Sequence, residues 1–116
     1  MKKLIVSSVL AFITFSAQAA AFQVTSNEIK TGEQLTTSHV FSGFGCEGGN
    51  TSPSLTWSGA PEGTKSFAVT VYDPDAPTGS GWWHWTVANI PATVTYLPHD
   101  AGRRDGTKLP TGAVQG

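Results

Sequence analysis

Apolar and polar residues alternate in two stretches of the chain that are separated by a short polar segment. In residues 66–72 the apolar positions are Phe67, Val69 and Val71, and residues 83–89 follow the same two-residue period. Successive side chains of a β-strand point to opposite faces of a sheet. The period therefore predicts two strands, each with one face toward a core.

Shorter stretches at residues 22–26, 54–57 and 93–97 also combine β-branched or aromatic residues with alternation. Residues 39–53 and 98–116 show no period and are predicted to be loops. No stretch offers the roughly ten residues with a 3.6-residue period that a core helix needs. The chain is therefore predicted to be all-β or mostly β, as an antiparallel sandwich or meander.

The N-terminus has the three parts of a secretory signal peptide. The chain begins with the basic residues Lys2 and Lys3 after Met1, residues 4–15 form an apolar run, and small residues suited to cleavage follow at 17–21. The run is too short for a transmembrane helix, and no stop-transfer segment follows it. Residues 1–21 are predicted to be a signal peptide and residues 22–116 one small domain. We expect the protein in the periplasm or, if released, outside the cell.

Removal of Lys2 and Lys3 with the signal peptide leaves five basic residues against eight acidic ones, a formal charge of −3. This balance, without a basic patch, disfavours nucleic acid and anionic membranes as partners. Exported proteins normally pair their thiols, so the single Cys46 pairs with another chain, stays free or lacks its partner. The neighbouring Glu47 and the absence of a basic residue within five positions disfavour a catalytic thiolate.

The segment between the two long strands concentrates the candidate chemistry. It holds Asp73 and Asp75 and leads into His84. Its two prolines and two glycines predict a stiff connection. Asp73 follows directly on a strand end, where its carboxylate can accept the ring N–H of His84 and orient it. The alternative is that both acids only cap turns and that His84 is a core histidine without a ligand.

Strand parity predicts the direction of the histidine side chain. His84 should point to the face opposite Trp83 and Trp85, with Thr86 and Ala88 as its neighbours on the same face. Because those two neighbours are small, we expect a pocket beside the imidazole.

The spacing of the polar residues does not favour catalysis. Ser80 lies in a glycine turn without the Gly-x-Ser-x-Gly elbow that holds a nucleophile. Asp73 and Asp75 lie on one tight loop, whereas the two acids of a glycosidase face each other across a cleft. We therefore predict a binding protein without catalytic residues, with a hydrolase as the less favoured alternative.

Metal sites are not favoured by the spacing either. Pro77 stands where a calcium loop would need its third ligand. His39 and His99 have no zinc-ligand spacing to His84. No metal ion and no cofactor are predicted.

Two sequence elements carry a resemblance to a known family. They are Asp73-Pro74-Asp75-Ala76-Pro77 followed by Trp83-His84-Trp85, and the upstream run Asn50-Thr51-Ser52-Pro53-Ser54-Leu55-Thr56-Trp57. With them the chain resembles the phosphatidylethanolamine-binding protein family and, within it, the bacterial Raf-kinase-inhibitor-like branch. The resemblance covers essentially all of residues 22–116. The acidic element with its downstream histidine is specific for so short a motif.

The resemblance implies a β-sandwich with a small surface pocket for a phosphate or a phospholipid-headgroup-like anion. It assigns Asp73 and His84 to ligand binding, and it gives Asp75, Pro77, Trp83 and Trp85 a role in shaping the pocket. A carboxylate repels an anion, so His84 has to supply positive charge or a directed donor. Binding should then strengthen as the pH falls toward and below about 6.5, the ordinary histidine value. The open alternative is a protein that acts through its surface on a partner, for example as an inhibitor.

The resemblance also implies a longer domain. Family members continue past the position of Gly116 with further pocket residues and closing strands, and periplasmic members carry another cysteine there. Residues 22–116 are therefore expected to be the N-terminal two-thirds of such a domain. We expect Trp57, Phe67, Val69, Trp83 and Trp85 to be partly exposed to water as a result.

Overall fold

A computed structural model of the protein describes residues 20–116. The predicted signal peptide lies outside the described residues except for its last two alanines. The strands, in chain order, are β1 (Gln23–Thr25), β2 (Ser42–Gly43), β3 (Cys46–Glu47), β4 (Leu55–Ser58), β5 (Ser66–Asp73), β6 (Trp82–Pro91), β7 (Tyr96–Leu97) and β8 (Val114–Gln115). A single 3-10 turn at Thr37–His39 is the helical structure of residues 20–116. No helix in this range is long and apolar enough to cross a bilayer.

The strands pair in antiparallel fashion in two three-stranded sheets and one small hairpin. One sheet has the order β1-β4-β7, the other has the order β5-β6-β8, and β2 pairs with β3. The prediction of an all-β antiparallel fold is confirmed.

The hydrophobic core lies between the two sheets. Its buried members are Trp57, Val87, Ile90, Leu97 and Ala101. The indole of Trp57 on one sheet meets the ring of Phe67 on the other edge to face, with centroids 5.5 Å apart and an interplanar angle of 63°. Such aromatic pairs contribute about 0.5–1.5 kcal/mol beyond their buried area. Residues from both sheets thus hold the layers together.

The predicted alternation of the first long strand is present in β5. Its residues alternate strictly between exposed and half-buried, with Phe67, Val69 and Val71 on the inner face. Because the period continues to the end of the strand, Asp73 also lies on this inner face. Asp73 is the last residue of β5 and not the first residue after it.

Predictions for the shorter elements are wrong in three places. The predicted loop 39–53 contains the β2–β3 hairpin, and the predicted loop 98–116 contains β8, which pairs with β6. The predicted strand 93–97 shrinks to β7, because the Val94 N–H donates to the Pro91 carbonyl in a turn. Two-residue strands are fixed by their partners in space and show no period of their own.

The expected exposure of five apolar residues is corrected for one of them. Trp57 is buried, with 5% of its surface exposed, because it is enclosed between the two sheets. Phe67, Val69 and Trp85 are half-buried, and Trp83 is 58% exposed.

Candidate functional site

A β-bulge places His84 within the long hairpin. Val71 on β5 is opposite Trp85 on β6, and Tyr72 is opposite Trp83, so His84 has no partner across the pair. One extra residue in an antiparallel strand disrupts the ladder locally and redirects the side chains beside it. The alternation of β6 is therefore broken at the histidine.

The bulge decides which face His84 occupies. Its Nε2 atom lies 3.6 Å from Oδ2 of Asp73, which is on the inner face of β5. His84 and Trp85 also line the same cavity. Tyr72 and Trp83 stack on the outer face, with ring centroids 4.6 Å apart. The parity prediction is thus right in separating His84 from Trp83 and wrong in separating it from Trp85.

The predicted small neighbours of His84 are also wrong. Thr86 is bound to the C-terminal residue, since its hydroxyl donates to the Gly116 carbonyl at 3.1 Å. Ala88 is an exposed residue opposite Val114 of β8. The space beside the imidazole comes from the cavity between the sheets and not from these two residues.

The two carboxylate oxygens of Asp73 have different neighbours. Oδ1 accepts the Asp75 backbone N–H at 2.9 Å, which closes the first turn of the loop, while Oδ2 faces His84. Asp73 therefore caps the turn with one carboxylate oxygen and faces His84 with the other. The ion-pair distance is long for a hydrogen bond, and both side chains are nearly half exposed. Such a pair contributes only about 0–1 kcal/mol to stability.

Side chains and backbone close the loop of residues 74–81 from both ends. The Thr78 N–H donates to the Ala76 carbonyl at 2.7 Å, and the Thr78 hydroxyl donates to the Gly81 carbonyl at 2.6 Å. The Tyr72 hydroxyl donates to the Ser80 carbonyl at 2.7 Å. These bonds agree with the predicted stiff connection.

An open cavity of about 900 Å³ adjoins the histidine. Its walls are mainly apolar and come from both sheets, with Trp57, Phe67 and Trp85 among them. Two imidazoles line it, those of His39 and His84, whereas no lysine or arginine of the described chain does. Nδ1 of His39 lies 2.8 Å from the Thr51 carbonyl, so it donates that bond. Asp73 is not among the residues that line this cavity, and a smaller depression beside β1 contains neither His84 nor Asp73.

The other predicted pocket residues lie on different sides of the hairpin. Trp85 lines the cavity, and its indole N–H donates to the Gln115 side chain at 2.9 Å. Asp75 and Pro77 are exposed in the loop, and Trp83 is on the outer face against Tyr72. The roles of these residues in ligand binding stay predictions.

Sequence reasoning missed Tyr72 as part of this region. The alternation correctly puts the ring on the outer face, but no local pattern connects an exposed tyrosine with a carbonyl eight positions later. Gly81 carries a relevant signal, because a glycine before an aromatic run indicates a turn. Its φ is +73°, and a Cβ there would lie 2.3 Å from the Tyr72 hydroxyl.

A second cluster of charged side chains lies away from the hairpin. Nδ1 of His99 donates to Oε2 of Glu28 at 2.8 Å, and the Ser54 N–H donates to the other oxygen of the same carboxylate at 3.2 Å. The His99 hydrogen bond is the main cause that lowers the pKa of Glu28; the bonds from Ser54 lower it further, and burial acts against them. No group of three or more potential metal-ligating side chains is found among residues 20–116.

The profile of the phosphatidylethanolamine-binding protein family matches residues 25–116. The chain belongs to this family. The match includes both elements of the resemblance and every strand from β2 onward. The family prediction is therefore confirmed.

Bacterial relatives extend the family match. YbcL of Escherichia coli strain K12 is 96% identical over 116 residues, which are 100% of this chain and 63% of the relative. YbhB of the same strain is 52% identical over 90 residues, or 78% of this chain and 56% of the relative. A protein of Aquifex aeolicus is 38% identical over 94 residues, or 81% and 52%. The chain thus spans about half to two-thirds of the length of these relatives.

A solved structure agrees with the fold. The crystal structure of Escherichia coli YbcL, described as a new member of the mammalian PEBP family, matches with a TM-score of 0.79 and 96% identity. The match covers 82% of this chain and 58% of the crystallised one. The chain is thus similar to YbcL both in sequence and in fold.

Proposed function

We propose that this chain is part of an exported binding protein for a small anion of the phosphate or phospholipid-headgroup type, and that His84 is the main binding group. The observation that carries the proposal is the bulge, which turns the imidazole of His84 into the cavity within 3.6 Å of the Asp73 carboxylate. Bulges are frequent next to functional sites because they redirect a side chain. Family membership supports a binding role.

The charges around the cavity make anion binding depend on the histidine. The carboxylate of Asp73 repels an anion, and no lysine or arginine of the described chain lines the cavity. Arg103 pairs with Asp100 and Asp105, and Lys108 also pairs with Asp100. The imidazoles of His84 and His39 are then the groups at the cavity that can carry positive charge, and His84 is the one beside Asp73. Binding should be stronger at the lower pH, because a lower pH favours the charged form of an imidazole.

The same geometry favours binding over hydrolysis. A hydrolase needs a nucleophile in hydrogen-bond contact with its base. Among residues 20–116, no hydroxyl or thiol forms a hydrogen bond with His84, whose polar partner is Asp73. Ser80, the serine considered as a nucleophile in the sequence, accepts a hydrogen bond from the Tyr72 hydroxyl through its backbone carbonyl, on the outer side of the hairpin.

A second candidate function is interaction with a protein partner through the outer face. Tyr72, Trp82 and Trp83 are 44%, 56% and 58% exposed, and aromatic side chains are enriched at protein interfaces. A pull-down that retains a partner with the wild-type chain and loses it with Trp83→Ser, while phosphate binding is unchanged, would favour this role.

The test of the main proposal is calorimetric titration of the full chain with inorganic phosphate and with phosphoethanolamine at pH 5.5 and pH 7.5. We expect binding at the lower pH, weaker binding at the higher pH, and loss of binding in His84→Ala. Glu62→Ala is the control, because Glu62 is an exposed turn residue outside the cavity. Equal effects of both substitutions would reject His84 as the binding group.

A further inference from the structure

We propose that Tyr72 is a positioning residue that latches the loop of residues 74–81 and thereby holds Asp73 and His84 in the geometry that binds the anion. This inference rests on the proposed anion site. Tyr72 is among the residues that line the cavity, but its ring stacks on Trp83 on the outer face of the hairpin and its hydroxyl proton is donated to the Ser80 carbonyl.

Adjacent residues of β5 hold the two ends of the loop. Asp73 points inward and accepts the Asp75 N–H at the start of the loop. Tyr72 points outward and donates to the Ser80 carbonyl near the end of the loop. The strand period sends these two neighbours to opposite faces, so the loop is bound on both sides of the sheet.

The tyrosine ring is itself fixed. It stacks on Trp83, its partner across the hairpin, with centroids 4.6 Å apart. Gly81 leaves room for it, since a Cβ there would lie 2.3 Å from the hydroxyl oxygen and 2.6 Å from the ring carbon that carries it. The positive φ of Gly81 also disfavours any side chain at this position. The stack on Trp83 and the absence of a side chain at position 81 thus both favour the observed position of the ring.

The latch acts on the anion site through the chain. From Ser80 the backbone runs through Gly81 and two tryptophans to the bulged His84. A loop that is free at Ser80 would let this limb move relative to Asp73, where the 3.6 Å contact has little energy of its own to restore the geometry. Affinity for an anion depends on that geometry being set before binding.

The test compares Tyr72→Phe with Tyr96→Phe in the full chain. Both substitutions remove one exposed tyrosine hydroxyl, but Tyr96 lies on β7 in the other sheet. Calorimetry with inorganic phosphate at pH 5.5 should show about three- to tenfold weaker binding for Tyr72→Phe, the expected effect of one lost neutral hydrogen bond. Tyr96→Phe should bind as the wild type does. Gly81→Ala should weaken binding at least as much as Tyr72→Phe.

Hydrogen exchange separates a latch from a general loss of stability. In Tyr72→Phe the amides of Asp75 and Thr78, which are bonded within the loop, should exchange faster. The amides of Val87 and Ile90 in the core should keep their wild-type rates. Faster exchange at all four amides would assign Tyr72 a merely structural role and overturn the latch.

The outcomes distinguish the latch from the site on which it depends. Absence of phosphate binding by the wild-type chain would overturn the anion site and the latch together. Binding by the wild type that is lost in His84→Ala but unchanged in Tyr72→Phe would leave the site standing and overturn the latch alone.

Discussion

The carboxylate of Glu28 accepts a hydrogen bond from Nδ1 of His99 at 2.8 Å and so connects two segments that are 71 positions apart in the chain. The same carboxylate accepts the Ser54 N–H just before β4. One acidic side chain therefore joins three separate segments. Its pKa lies below the ordinary value of 4.5, chiefly because of the His99 hydrogen bond.

Glu28→Gln is expected to destabilise the fold by about 0.5–1 kcal/mol at pH 7, since the pair is partly exposed. A carboxyl group whose pKa is lowered by folding stabilises the folded state above its unfolded value, and the contribution is lost as the pH falls through the folded value. The difference between Glu28→Gln and the wild type should therefore shrink as the pH falls from about 4.5 through the lowered pKa of Glu28. Urea melts across this pH range measure it.

Glu33→Gln is the control for this prediction. Glu33 pairs with Lys30 at 3.8 Å between two largely exposed side chains, and such pairs contribute little. Its melting midpoint should match the wild type at every pH. A pH-independent loss of stability in Glu28→Gln would show that charge is not the cause.

Asp73→Asn and Asp73→Ala separate the turn cap from the charge. Asparagine keeps an oxygen that can accept the Asp75 N–H, so Asp73→Asn should change the unfolding free energy by less than about 0.5 kcal/mol. Alanine removes the acceptor and should destabilise by about 1 kcal/mol. Urea melts at pH 7 give both values. Equal losses in the two variants would contradict the capping role of this carboxylate.

Leu97→Ala and Leu35→Ala compare the same change inside and outside the core. Leu97 has no exposed surface, and Leu35 is 46% exposed. Loss of a buried leucine side chain typically destabilises by about 2–5 kcal/mol, because it leaves a cavity. Leu97→Ala should therefore lower the urea midpoint strongly or abolish the transition, whereas Leu35→Ala should lower it little. Similar shifts of the urea midpoint in the two variants would contradict the burial of Leu97 in the core.

The open cavity predicts low stability for the 116-residue chain. Several large apolar side chains at its walls are exposed, among them Phe22 at 58% and Val24 at 62%. Folded domains have a net free energy of unfolding of only about 5–15 kcal/mol. A small core beside a cavity whose apolar walls are exposed to water therefore predicts a small free energy of unfolding for this chain. We expect the chain to bind a hydrophobic dye and to unfold at a lower urea concentration than full-length YbcL. A matching midpoint without dye binding would refute this.

Export can be checked on the protein itself. The mature chain recovered from a bacterial periplasm should begin between Ala20 and Phe22, because small residues suited to signal peptidase precede this point. Intact mass spectrometry identifies the first residue. Recovery with Met1 in place would contradict the signal peptide.

The sequence predicts the long hairpin well because its signals are local. The two-residue period of β5 and the turn formers of the loop are readable without knowledge of the partner strands. The family motif marks Asp73 and His84 for the same reason, since both lie in this one segment. The structure brings the two side chains to 3.6 Å, and the orienting role of the carboxylate stays a prediction.

The direction of His84 could not be predicted in the same way. Parity holds only while two strands stay in register, and the bulge depends on how β5 and β6 pair across their full length. The β8 strand is similar, because Val114 and Gln115 become a strand only through their pairing with β6. The burial of Trp57 depends on Phe67 from the opposite sheet. Each of these features depends on pairing or packing between residues that are far apart in the chain, which a local sequence pattern does not show.

The bulged hairpin also bears on the order of events during folding. Asp73 and His84 are separated by only ten intervening residues within one hairpin, whereas β1 has to find β4 and β4 has to find β7 across much longer stretches. Hairpins form in about 1–10 μs, and long-range pairings are slower because more loop entropy is lost. The histidine and its carboxylate can therefore meet early, in a chain whose two sheets have not yet assembled.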